Sequence, residues 1–246
     1  MSFLDIHWIS SVLEKCVGSH VIVPNKGGGP FPVMYLLHGL SDDYTMWHRR
    51  TRIEWYAEKY PMIVVMPDGY RGWYTNNEQG PAYARYLGEE LPAFIERTFH
   101  ARASGKARCI GGLSMGGYGA LRLALGYAGR YVSAVSHSGA PMWGPNNFRA
   151  TTTAEELRIF GEKPAGTDHD LLALAKKAKA AGKLPRIAID CGTEDWHLEA
   201  NRRFHKALHG AKIPHQYAEF PGNHNWDYWD IHVQEALAFH AKALGL

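Results

Sequence analysis

The sequence predicts an α/β fold in which a mostly parallel central sheet carries helices on both faces. Three observations lead there. Short runs rich in Val and Ile alternate along the chain with longer segments of helical spacing. Many of these runs are bounded by Gly or Pro, and most are apolar at nearly every position, as strands covered on both faces require. The 246 residues, 46% hydrophobic and 21% charged, suffice for one large core. No linker or internal repeat divides them, so residues 1–246 read as a single domain.

The strands expected in order are "HVIVP" (20–24), "VMYLL" (33–37), "MIVVM" (62–66), "ARCIG" (107–111), "YVSAVS" (131–136), "RIAIDC" (186–191) and "HQYAEF" (215–220). The short "NKGGGPFP" after the first reads as a hairpin loop, so the sheet is expected to open with antiparallel strands. Helical spacing appears over 49–60, 82–99, 114–128, 198–210 and 227–244. Residues 140–183 break the rhythm with a polar, Pro- and Gly-punctuated start and helices expected near 154–160 and 168–181. We read this stretch as a cap that helps wall a pocket, with a plain surface insertion as the alternative.

Composition excludes several function classes. The 27 Lys and Arg against 24 Asp and Glu give a net charge of +3, and the basic residues are scattered. Lys176, Lys177 and Lys179 read as the solvated face of a helix, so no nucleic-acid partner is expected. No apolar stretch approaches the ~18–20 residues of a membrane span. The N-terminal "MSFLDIHWISSVLEKC" does not read as a signal peptide, since it lacks a basic start followed by an apolar run. Cys16, Cys109 and Cys191 have no metal-ligand spacing and read as free thiols, which suits a reducing, cytoplasmic setting. Homo-oligomerisation is left open.

The chemistry is carried by "RCIGGLSMGGYGALRLAL" (108–125). A strand is expected to end near Gly112 and a helix to begin near Ser114, with Gly112 and Gly116 two residues either side of the serine. This G-x-S-x-G pattern places a nucleophile in a sharp strand-to-helix turn. The Met115 N–H, at the helix N-terminus, then points at any oxyanion formed there. Such nucleophiles find an acid and then a base later in the chain. Among fourteen histidines, His224 in "FPGNHNWDYW" follows the last strand and is the expected base. His232 and His240 read as helix-surface residues. "IAIDCGTEDWHLEAN" offers Asp190, Glu194 and Asp195; Asp190 sits within the strand, and Asp195 is preferred as the acid, with Glu194 next. The second oxyanion donor is expected from "YLLHGLSDDYTMW", at the Leu40 N–H, with His38 holding the loop. Asp42 and Asp43 lack a third ligand at metal-binding spacing. No metal or cofactor is expected. Trp47, Trp73, Trp143, Trp196 and Trp226 each follow a strand end near a site loop and are candidate pocket walls.

Together these blocks resemble the Putative esterase (esterase D-like) family of α/β-hydrolases, in family order over nearly the whole chain. The likeness is greatest to the tributyrin esterase and small feruloyl esterase branch. The resemblance implies that Ser114 is the nucleophile, Asp195 the acid and His224 the base, with Leu40 and Met115 N–H groups as the oxyanion hole. It implies a small-molecule ester substrate, short-chain acyl esters first and feruloyl-type esters second. S-formylglutathione hydrolase, acetylxylan-type esterase and acyltransferase chemistry on the same triad are the alternatives. The formylglutathione branch usually keeps a reactive cysteine near the site, and none of the three cysteines here lies in such a loop.

Overall fold

A computed structural model describes residues 1–144, 146 and 153–246. The elements follow in chain order: β1 (Ser2–Ser10), β2 (Lys15–Val23), β3 (Val33–Leu37), α1 (Met46–Arg50), α2 (Ile53–Ala57) and β4 (Ile63–Pro67). Next, α3 (Tyr83–Arg85) runs through a π-helical turn (Tyr86–Glu90) into α4 (Leu91–Thr98). Then come β5 (Arg108–Leu113), α5 (Met115–Gly126), β6 (Ser133–His137), α6 (Ala154–Phe160), α7 (Leu171–Ala180), β7 (Arg186–Gly192), α8 (Leu198–Gly210), β8 (Gln216–Phe220) and α9 (Trp226–Leu244).

The eight strands form one sheet in the order β1-β2-β4-β3-β5-β6-β7-β8. From β4 onward every pairing is parallel. The sheet does open antiparallel, but not through the expected hairpin. β2 pairs with β4, which lies between it and β3. The hairpin is β1–β2, with Ser2 opposite Val23 and Ser10 opposite Lys15. β1 escapes a search for apolar runs because it is an edge strand whose residues are largely exposed or half-buried.

Side chains alternate across the sheet and build two cores. Val33, Tyr35 and Leu37 face a layer containing α5 and α7, whereas Met34 and Leu36 face one containing α2 and α9. All five residues of β3, β4 and β6 are buried; β3 and β4 are accordingly apolar throughout, whereas β6 buries Ser133, Ser136 and His137 among its five. The helix expected over 49–60 is instead two short helices. Thr51 is extended (φ −134°, ψ 170°), and the Arg52 N–H is drawn to Asp230 Oδ1 on α9 at 2.8 Å.

His232 and His240 are corrected by the structure: both are buried on the sheet side of α9. His240 Nδ1 lies 2.8 Å from the Ser133 hydroxyl, and burial pushes its pKa down to about 3. Within 140–183, α6 and α7 form much as expected. Asp170 caps α7 and also accepts the Gly144 and Gly166 N–H groups. Residues 145 and 147–152 of that stretch lie outside the described residues.

Candidate active site

Ser114 is the whole connection between β5 and α5. Its backbone sits at φ 51°, ψ −116°, a region that costs a non-glycine residue on the order of 1–3 kcal/mol. Surrounding hydrogen bonds hold it there. Its N–H donates to the His137 carbonyl at 3.0 Å, and its carbonyl accepts from Tyr118 and Ala140 N–H at 3.1 and 3.2 Å. The two motif glycines are required by close approach. A Cβ on Gly112 would stand 2.5 Å from the Gly116 carbonyl oxygen, and one on Gly116 would stand 2.4 Å from the Leu37 oxygen.

Asp195 and His224 follow the neighbouring strands β7 and β8, and backbone bonds zip their two loops together. Thr193 N–H donates to Phe220 O at 2.8 Å and Glu194 N–H to Gly222 O at 3.0 Å. This brings His224 Nδ1 to 2.8 Å from Asp195 Oδ2, while His224 Nε2 lies 3.1 Å from Ser114 Oγ. Asp195 Oδ1 also accepts the His197 N–H at 2.7 Å. Burial alone would raise the Asp195 pKa, but these donors outweigh it and leave the carboxyl below its ordinary value. An ionised Asp195 accepts only, so Nδ1 carries the imidazole proton and Nε2 is free to receive one from the serine. Glu194 is exposed and bonds its neighbour Thr193 instead. Asp190 is occupied elsewhere, taking the Tyr228 hydroxyl at 2.9 Å with His137 Nδ1 2.7 Å away.

The loop carrying Leu40 is tied at successive backbone groups. The Trp47 indole donates to Leu37 O at 2.9 Å and the Tyr74 hydroxyl to His38 O at 2.9 Å. His38 bridges two loops: Nδ1 donates to Gly39 O at 2.7 Å while Nε2 accepts the Gly69 N–H at 2.9 Å. Asp42 accepts the Gly39 N–H at 3.1 Å. Across the cleft Met115 is the first residue of α5, so its N–H has no intrahelical acceptor.

Ser114, Leu40 and His224 open into a cleft of about 500 Å³ that is also lined by Asp42, Leu113, Trp73, Trp196, His197, Trp226 and Trp229. Three of the five candidate aromatic walls are therefore there: Trp73, Trp196 and Trp226. Trp47 is not, because its hydrogen bond to Leu37 draws it beneath the loop, where it packs edge-on against Trp226 at 5.3 Å. Nor is Trp143, which turns toward Phe204 at 6.2 Å. None of the described lining residues comes from 140–183, although Phe160 of α6 backs Trp73 at 5.5 Å. Sequence reasoning missed Trp229 and His197. The signal for Trp229 was its place one helical turn after Trp226.

A family model described as "Putative esterase" matches residues 10–240. An acetyl esterase of Caldicellulosiruptor saccharolyticus is 30% identical over 98% of this chain and 99% of its own. Among solved structures, FphF, a fluorophosphonate-binding serine hydrolase of Staphylococcus aureus, is 28% identical with a TM-score of 0.88, covering 97% of this chain and 98% of its own. An S-formylglutathione hydrolase of the same organism is 27% identical with a TM-score of 0.85 over the same shares. No helix among the described residues is long and apolar enough to cross a membrane.

Proposed function

This chain belongs to the Putative esterase family of α/β-hydrolases, a family of carboxylic ester hydrolases, and from that premise we propose that it cleaves short-chain acyl esters through Ser114, His224 and Asp195. The observation that carries the reading is the hydrogen-bonded chain from Ser114 Oγ through His224 to Asp195, opening into an aromatic cleft.

In the proposed reaction His224 Nε2 takes the serine proton as Oγ attacks the ester carbonyl. The oxyanion forms against the Leu40 and Met115 N–H groups. His224 then gives its proton to the leaving alcohol, and an acyl-enzyme remains on Ser114. Water, deprotonated by the same nitrogen, releases the acid. Asp195 fixes the imidazole tautomer and stabilises its cation. The short-chain preference rests on the tryptophans around the serine. Trp73 and Trp229 are buried at their bases and packed by Phe160 and Trp226, so they yield little to a longer acyl chain. The same aromatic lining supports a feruloyl-type acyl group as the second reading.

The test is a panel of p-nitrophenyl esters of increasing acyl length, run beside methyl ferulate and S-formylglutathione. We expect kcat/KM to peak at about two to four acyl carbons and to fall beyond roughly eight. Ser114→Ala should remove on the order of 10⁴–10⁶ of kcat. A peak at long chains, or a folded Ser114→Ala protein retaining a tenth of the rate, overturns the assignment.

A further inference from the structure

The aromatic residues of the cleft differ in one respect. Trp73 and Trp229 are 3% and 5% exposed, and Trp226 is half-buried, as wall residues are. Trp196 is 69% exposed, yet it belongs to the same cleft. It follows Asp195 directly and lies against the imidazole of His224, with ring centroids 4.2 Å apart and planes tilted by 37°. One face of the indole is thus spent on the general base, and the remainder is offered to solvent at the cleft mouth. What sets it apart from other exposed apolar side chains is its place in the cleft against His224, where an aromatic ring can line a ligand site.

Proton delivery identifies which part of the substrate that is. On the mechanism proposed above, His224 protonates the leaving oxygen, so the alcohol departs from the side of Nε2. Leu113 and Trp73, which line the same cleft, are 1% and 3% exposed and are left for the acyl side. The described lining carries the Asp42 carboxylate and no Lys or Arg, so it offers no counter-charge to an anionic leaving group.

Resting on that esterase reading, we infer that Trp196 is the specificity-determining platform for the alcohol half of the substrate, and that this half is a neutral alcohol presenting a flat apolar face. An aryl ring and the C–H face of a sugar ring share that chemistry, since both stack on indole.

The test keeps the acyl group constant and varies the alcohol. Wild type, Trp196→Ala and Trp196→Phe are assayed on ethyl acetate, benzyl acetate and a methyl glucoside acetylated on its primary hydroxyl, all esters of primary alcohols. The quantity read is kcat/KM of each ring ester relative to ethyl acetate, with KM and kcat separated. We expect Trp196→Ala to lower that ratio about tenfold, chiefly through KM, and Trp196→Phe to restore most of it. A loss confined to one ring ester identifies the source of the ring. An equal fall on all three esters means that Trp196 acts only by steadying His224 and overturns the inference. Wild type inactive on all three overturns the short-chain reading on which the inference rests, whereas an unchanged ratio in an active Trp196→Ala overturns the inference alone.

Discussion

The Asp42 carboxylate accepts the Gly39 N–H at 3.1 Å and so closes the turn that carries Leu40, the oxyanion donor of the mechanism we propose. Burial raises the Asp42 pKa. Its carboxylate touches no residue of the Ser114–His224–Asp195 chain through a hydrogen bond and acts, on our reading, by position. Removing one oxyanion donor outright costs about 10²–10³ in kcat. Loosening the turn in Asp42→Ala should cost less, about tenfold in kcat with KM changed under twofold. Asp42→Asn, whose amide oxygen still accepts the N–H, should recover most of the rate. Steady-state kinetics on a short-chain ester checks this, and a change in KM alone refutes it.

Asp195 and Glu194 are neighbours with opposite surroundings, and substitution should separate them. Asp195→Asn preserves shape but favours the wrong imidazole tautomer, so kcat should fall about 10⁴-fold. Glu194→Gln should leave kcat within about twofold, because its side chain is exposed and bonds only Thr193 among the described residues. The reverse ranking transfers the acid role to Glu194.

Acyl-chain preference should respond to Trp226 and not to Trp143. Trp226 lines the cleft and packs edge-on against Trp229 at 5.2 Å. Trp226→Ala opens that wall and should move the optimum toward longer acyl chains by about two carbons, each added methylene gaining up to ~0.8 kcal/mol. Trp143 packs toward Phe204, so Trp143→Ala should leave the profile in place while lowering stability. Kinetics on the p-nitrophenyl series decides between them.

Acid should weaken the fold through His240. Burial depresses its folded-state pKa to about 3, with His137 adding in the same direction, against an unfolded value of about 6.5. The unfolded chain therefore binds the proton more readily, so this stability is fully present above pH 6.5 and is lost as pH falls toward 3. The slope is at most about 1.4 kcal/mol per pH unit, or roughly 3 kcal/mol by pH 4. Urea midpoints measured from pH 7 to 4 should fall less steeply in His240→Gln than in wild type. Parallel slopes contradict the assignment.

Legibility in the sequence followed burial. β3 reads at its true bounds, 33–37, because both of its faces are covered and every residue is apolar. β1 does not, because an edge strand is free to place polar residues on its open face. At the site, the meeting of Ser114, Asp195 and His224 was legible because each occupies a loop directly after a strand, where position along the chain predicts position in space. The tryptophans were not equally so. Trp47 and Trp226 both follow strand ends, but a single hydrogen bond to Leu37 decides that one supports the wall and the other forms it. The fates of His232 and His240 turned on which face of α9 meets the sheet, and histidine is compatible with either.

The order of the strands separates two kinds of failure. Ser114 hangs from β5, which is enclosed by β3 and β6, whereas His224 hangs from β8, the last strand of the sheet, whose residues are only partly covered. Sub-global opening begins where few contacts hold the backbone. On the proposed mechanism, fraying of β8 would carry His224 away from Ser114 without opening β5. Activity would then report the integrity of one sheet margin, and calorimetry or circular dichroism the rest.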